Sequence, residues 1–237
     1  MISLTNICKS FNTFSGEVRA LKNLSLKIES GECLVIGGEN GSGKSLLMSI
    51  LSGLDKADSG TVECDEKTGL VFQDAETQIL GETPSEDVAF GLKNLGWKKE
   101  RIEKQVKWAL EKTGLLKKAD STARFLSGGE KRRLAVACML AMENPVIILD
   151  EPYANLDYTS VKQVNQLIAQ LKSEKKTVII LTHEIEKCLA LADRFVVLFR
   201  GEKVFDGKPE ECDFSGIEKW NIKNPFNAYT SLKDLIW

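Results

Sequence analysis

The stretch Gly37-Gly38-Glu39-Asn40-Gly41-Ser42-Gly43-Lys44-Ser45 decides the fold. Before it, Cys33-Leu34-Val35-Ile36 is short, apolar and partly β-branched, which predicts a buried strand. After it, Leu46-Leu47-Met48-Ser49-Ile50-Leu51 is made of good helix formers. From Gly38 to Ser45 the residues fit G-x-x-x-x-G-K-[ST], in the strand–loop–helix setting that this phosphate loop requires. A polyphosphate resting on backbone N–H groups needs glycines, because a Cβ would hold it off. The helix beginning near Lys44 aims its free N–H groups and its positive dipole end at the same phosphates. Lys44 adds a point charge near the β/γ oxygens, and the Ser45 hydroxyl can ligate Mg²⁺. The stretch reads as a nucleotide site.

Composition narrows the class. The 237 residues suffice for one large domain or two small ones, and 43% of them are apolar, as in a globular chain with a proper core. A net charge of −2 without a long basic stripe argues against nucleic acid as the main partner. Cys8, Cys33, Cys64, Cys138, Cys188 and Cys212 are scattered without C-x-x-C spacing, which fits reduced, buried thiols of a cytosolic protein. The start, Met1-Ile2-Ser3-Leu4-Thr5-Asn6, has neither the basic nor the hydrophobic region of a signal peptide. No run reaches 18 apolar residues, so any membrane role is by docking.

Along the chain, Ile2 to Cys8 and Leu21 to Ile28 alternate apolar and polar residues and read as antiparallel strands. Phe11 and Phe14 fall in the connection between them, where a ring could stack on a base. Ser59-Gly60 reads as a turn, Thr61-Val62-Glu63 and Gly69-Leu70-Val71-Phe72 as short strands, and Gln73 as the polar tip of the second. From Pro84 to about Phe125, Val88, Leu92, Leu95, Ile102, Val106, Leu110, Leu115 and Leu116 recur at helical spacing. This predicts a helical insertion. It ends at Leu126-Ser127-Gly128-Gly129-Glu130, where Ser127 is a natural N-cap and Glu130 its capping-box partner. Two glycines in a first turn weaken a helix by about 1 kcal/mol each, so bare backbone there points to a second anion site.

Val146-Ile147-Ile148-Leu149 predicts a central parallel strand, with Asp150 and Glu151 at its end. Downstream of a phosphate loop, such a pair suits the Mg²⁺ shell and the polarisation of an attacking water. Asn155-Leu156-Asp157 lies in a loop before a helix from about Ser160 to Lys172. Val178-Ile179-Ile180-Leu181-Thr182 is another buried strand, ending at His183, the only histidine. Ligands of open α/β sheets bind beyond such strand ends, which favours a γ-phosphate contact for His183. Phe195 to Phe199 and Lys203 to Phe205 close the sheet around Gly201. The tail with Trp220, Phe226, Tyr229 and Trp237 carries no chemistry legible in sequence. Strands alternating with helices give an α/β nucleotide-binding fold.

The ordered set (phosphate loop, Gln73, Leu126 to Glu130, Ile147 to Glu151, Asn155 to Asp157, His183) resembles the ATP-binding-cassette ATPases over nearly the whole chain. That resemblance implies a P-loop NTPase of ABC type: a RecA-like core with a mixed sheet over 1–73 and 145–212, an antiparallel β-subdomain, a helical subdomain over 74–144 and a tail over 213–237. It also implies two subunits sandwiching two ATP molecules, with Mg²⁺. Phe11, Gly38, Glu39, Asn40, Gly41, Ser42, Gly43, Lys44, Ser45 and Leu46 would bind ATP, completed by Ser127, Gly128, Gly129 and Glu130 of the other subunit. Lys44, Gln73, Glu151 and His183 would serve catalysis, with Ser45, Gln73 and Asp150 on the metal and Asp157 signalling between subunits.

Val71-Phe72-Gln73-Asp74-Ala75-Glu76-Thr77-Gln78, Glu86-Asp87-Val88-Ala89-Phe90-Gly91, Asn94-Leu95-Gly96 and Gly128-Gly129-Glu130-Lys131-Arg132-Arg133-Leu134-Ala135 further resemble the ATPase of energy-coupling factor importers of vitamins or cobalt and nickel. The implied partners are a second such ATPase, a transmembrane coupling protein docking near Gln78, Glu82 and Glu86, and a substrate-binding membrane protein, with no nucleic acid. The implied location is the cytoplasmic face of the cell membrane. Three departures stand out: Glu130 for the usual glutamine, Tyr153 for a small hydroxylated residue, and a short 61–69 region. The competing readings are another transporter subfamily and a soluble scaffold of the iron–sulfur assembly kind.

Overall fold

The computed structural model describes residues 1–14 and 16–227. The chain opens with a long antiparallel hairpin, β1 (Ile2–Thr13) and β2 (Gly16–Ile28), and β4 (Ser59–Cys64) pairs with the other edge of β1. Both strands of the hairpin outrun the sequence expectation at the turn end, while Ile2 and Ile28 bound it as expected. Phe11 pairs with Val18 and Thr13 with Gly16, so Phe11 lies in a strand and not in the connection. Residues 9–14 and 16–20 are mostly exposed on both faces, so no hydrophobic alternation announces them. Ser59 and Gly60 likewise open β4 instead of forming a turn, with Ser59 opposite Cys8.

The second sheet has the order β5-β6-β7-β3-β8-β9, from β3 (Cys33–Gly37), β5 (Thr68–Val71), β6 (Val146–Asp150), β7 (Thr177–Thr182), β8 (Arg194–Phe199) and β9 (Glu202–Gly207). Its first five strands are parallel and β9 is antiparallel to β8. β3 and β7 are buried throughout, as unbroken apolar strands covered on both faces must be. One face packs α5 (Tyr158–Ser173) and the middle of α4 (Gly128–Ala141) through Val136, Leu140, Val164, Ile168 and Leu171 onto Ile147, Val178 and Ile180. The other packs α1 (Lys44–Leu51) and the hairpin through Leu47, Met48, Leu4, Ile7 and Leu24 onto Leu34, Ile36, Ile148 and Val196. Each such side chain stabilises by about 1.5–3 kcal/mol on burial, and together they fix the strand ends that carry the site.

The inserted helices are α2 (Pro84–Asn94), α3 (Lys99–Lys112) and α4, with their own cluster of Val88, Leu92, Ile102, Val106, Leu110 and Leu134. Thr83 and Glu86 form a capping box at the start of α2, with Pro84 in the first turn. α5 begins two residues earlier than the sequence suggests, because Asp157 caps it by accepting from Ser160 N at 2.8 Å. The tail joins the core after all: Ile217 and Ile222 are 0% and 2% exposed, and Phe214 stacks on Phe195 with centroids 6.3 Å apart. Phe226 meets Phe214 edge-on at 5.1 Å, whereas Tyr229 and Trp237 lie outside the described residues. All six cysteines are free thiols.

Candidate functional site

Three neighbouring strands deliver the site. β7 lies between β3 and β6, with Gly37 opposite Thr182 and Asp150 opposite Leu181. The phosphate loop, the two carboxylates and His183 therefore leave the sheet side by side at its carboxyl edge.

Gly38 has no room for a side chain: a Cβ there would sit 2.5 Å from Leu198 O and 2.6 Å from Ser42 Oγ. Gly43, at φ 103°, is the N-cap of α1 and provides no side-chain cap, so the first N–H groups of the helix stay available to an anion. Lys44 curls back into the loop, donating to Gly38 O at 2.7 Å and Glu39 O at 3.0 Å. Its Nζ stands 3.6 Å from Glu151 Oε1, with both side chains about 5% exposed. Burial pushes the Lys44 ammonium below its ordinary pKa, opposed by Glu151 and Asp150.

The carboxylates diverge, as successive residues leaving a strand should. Asp150 Oδ1 accepts from Ser45 Oγ at 3.3 Å, and burial raises its pKa from the ordinary aspartate value. Glu151, in the left-handed region at φ 44°, turns the other way. Its Oε2 accepts from Thr182 Oγ1 at 3.0 Å and His183 N at 3.3 Å, and lies 3.0 Å from His183 Nδ1. One carboxylate oxygen is thus held by β7 and the other faces Lys44. Buried Thr182 was invisible as a site residue in sequence; only the strand register brings it to Glu151.

A cleft of about 280 Å³ gathers Phe11, Ala20, Asn40, Gly41, Gly43, Lys44, Ser45, Leu46, Gln73 and Glu151. Phe11 forms one wall, 44% exposed, with Lys9 Nζ 5.6 Å from its ring centre. Ser45, Asp150 and the Gln73 amide are hard oxygen donors of the kind Mg²⁺ takes. Among the described residues, no three His, Cys, Asp or Glu gather as a metal cluster.

Ser127, Gly128, Gly129 and Glu130 lie elsewhere, at the start of α4, where Ser127 and Glu130 form the expected capping box. Lys118 pairs with Glu130 at 2.6 Å. Gly128 faces a second cleft of about 500 Å³, with Gln73, Arg132, Asn155 and Leu156. Sequence reading passed over Arg132. Its guanidinium donates to Gln73 O and Pro152 O at 2.6 Å and to Ala154 O at 3.3 Å, tying the Gln73 loop, the segment after Glu151 and α4 together. Tyr153, fully buried, donates to Asn165 Oδ1 at 2.7 Å, a role a small hydroxylated residue could not reach to fill.

Of the three residues expected at a partner groove, two are engaged locally. Gln78 donates to Leu70 O at 2.9 Å and accepts from Phe72 N at 2.8 Å, and Glu86 accepts from Glu82 N and Thr83 N. Glu82 lines a cleft with Ile79, Arg124 and Lys131. A larger apolar groove of about 580 Å³ lies between α2 and α3, walled by Ala89, Trp97, Ile102, Val106 and Leu116, with Glu86 also on its lining.

The chain is similar to several known proteins. The ABC transporter family model matches residues 21–154. Energy-coupling factor transporter ATP-binding protein EcfA2 of Methanospirillum hungatei is 37% identical over 223 residues, 87% of this chain and 56% of that protein, so this chain spans about half of that relative. The structure of cbiO1 from Clostridium perfringens, described as part of the ABC transporter complex cbiONQ, superposes with a TM-score of 0.81 at 33% identity, covering 94% of this chain and 95% of that one. A dimeric ATP-binding cassette in a post-hydrolysis state with ADP and Pi gives 0.79 at 30% identity, over 88% and 99%. The chain belongs to the ABC transporter family and carries its ATP-hydrolysing cassette.

Proposed function

We propose that the chain powers a membrane importer of the energy-coupling factor type, moving a vitamin or a transition-metal ion. The observation that carries the reading is the Glu151 constellation beside the phosphate loop: a buried carboxylate held by Thr182 and His183 at one oxygen and facing Lys44 with the other. ATP would lie with its base on Phe11 and its phosphates on residues 38–46. Ser45 and Gln73 would hold Mg²⁺ with Asp150 behind them, and the ion would neutralise charge on the β/γ oxygens. Glu151 orients and polarises the attacking water. His183 and Lys44 stabilise the γ-phosphoryl group as charge develops.

A second cassette completes the site. Ser127, Gly128 and Gly129 of one chain lie outside its own nucleotide cleft and would face the γ-phosphate bound by its mate, with Asp157 at the seam. The dimeric structural relative supports this arrangement. The apolar groove between α2 and α3 suits an amphipathic helix of a transmembrane coupling protein, its apolar side on Trp97, Ile102 and Leu116 and its polar side near Lys93, Lys99 and Glu103. The description of cbiO1 as part of an ABC transporter complex supports a membrane-bound assembly, with this chain docked at the cytoplasmic face.

The test is affinity capture of the tagged chain from detergent-solubilised membranes of its host, read by mass spectrometry beside a Leu116→Glu variant. A polytopic membrane protein lost in the variant supports the reading. Only soluble partners, from protein that still binds ATP, would replace it with a scaffold role.

A further inference from the structure

Two features remain unexplained by the nucleotide site: an acidic residue inside the phosphate loop, Glu39, and the C-terminal segment, to which the sequence assigned no chemistry. The structure joins them. Asn221 Nδ2 donates to Glu39 Oε2 at 2.7 Å, across 182 residues of chain.

The segment that brings Asn221 there is firmly seated. A 3-10 stretch, Phe214–Trp220, ends at Asn221, which adopts the left-handed conformation at φ 57°, ψ 32°, a region where asparagine is among the residues best tolerated. On either side of it Ile217 and Ile222 are buried, and Phe214 stacks on Phe195 of β8. The Phe195 ring lies directly under the loop: a Cβ on Gly37 would be 2.9 Å from it. Asn221 is therefore carried on the apolar layer that supports the start of the phosphate loop.

Charge explains why this matters. A polyphosphate and a carboxylate in one loop repel, and the repulsion grows as the carboxylate approaches the phosphates. Asn40, Gly41, Gly43, Lys44 and Ser45 line the nucleotide cleft, while the Glu39 carboxylate is bonded on the tail side. The Glu39 carbonyl, meanwhile, accepts from Lys44 at 3.0 Å, so a shift of Glu39 is felt at the phosphate-binding lysine.

We propose that the C-terminal segment braces the phosphate loop, with Asn221 as a positioning residue that holds the Glu39 carboxylate away from the bound phosphates. This rests on nucleotide binding at residues 38–46.

The test is titration of the full chain with a fluorescent ATP analogue, alongside thermal melting and steady-state hydrolysis. Asn221→Asp sets a carboxylate against Glu39 and is expected to weaken ATP binding about two- to fivefold, the scale of exposed charge contacts, with the change in Kd and KM and not in kcat. Glu39→Gln with Asn221→Asp exchanges donor and acceptor and should restore the affinity. Asn221→Ala should fall between wild type and Asn221→Asp. Wild-type affinity in Asn221→Asp, or a loss that persists in the double variant, would overturn the brace while leaving the nucleotide site standing. Failure of the wild type itself to bind ATP would overturn both.

Discussion

Glu151→Gln separates the two tasks of that side chain. A glutamine keeps an oxygen for Thr182 Oγ1 and His183 N but loses the charge facing Lys44 and the basicity toward water. At 3.6 Å and an effective dielectric near 20, the Lys44–Glu151 attraction is about 4–5 kcal/mol before desolvation is counted. Removing one partner of a buried pair strands the other. Because Lys44 keeps its two carbonyl acceptors, the net loss in nucleotide-free protein should be about 2 kcal/mol, or about 4–8 °C in Tm for a chain this size. On the proposed site ATP phosphates would take over as partners of Lys44, so the stabilisation by ATP should be larger in the variant than in wild type. Hydrolysis should fall at least ~10²-fold, about 2.7 kcal/mol on the barrier. Melting curves with and without ATP, with a phosphate-release assay, measure all three. A variant that melts like wild type without nucleotide and hydrolyses at the wild-type rate would show that Glu151 fills neither role.

Asp150→Asn should trade function for stability. Burial raises the pKa of Asp150, so its favourable contribution to folding is present at acid pH and lost as pH rises through the raised value. At pH 7 without Mg²⁺ the variant should therefore melt at a higher temperature than wild type, the gain fading as the pH falls, while Mg²⁺-dependent hydrolysis is lost. Phe11→Ala should weaken ATP binding by about 1–3 kcal/mol, the scale of base–aromatic stacking, with Phe11→Trp retaining it in the same titration.

Much of this was legible in the sequence. The phosphate loop, the buried strands ending at Asp150 and Thr182, and the capping box of Ser127 and Glu130 each have a local cause written into a few consecutive residues. What escaped was non-local. The outer half of the β1–β2 hairpin has no buried face and so no period, which hid the strand placement of Phe11. Arg132 and Thr182 act through partners tens of residues away, Gln73 and Pro152 for one and Glu151 for the other. Gln78 reads in sequence as part of a partner groove because nothing local shows that it clamps the end of β5. The tail looked inert because its role depends on Phe195 and Glu39, far upstream.

In the proposed arrangement, hydrolysis needs the Ser127 face of one chain against the phosphate loop of another. The most direct measurement is the solution mass of Glu151→Gln by light scattering, with and without ATP·Mg²⁺, beside the same protein carrying Ser127→Arg. Glu151→Gln should shift to twice the chain mass with ATP, and Ser127→Arg should abolish the shift although ATP still binds. A protein that binds ATP and stays monomeric, or a dimer indifferent to Ser127→Arg, would contradict it.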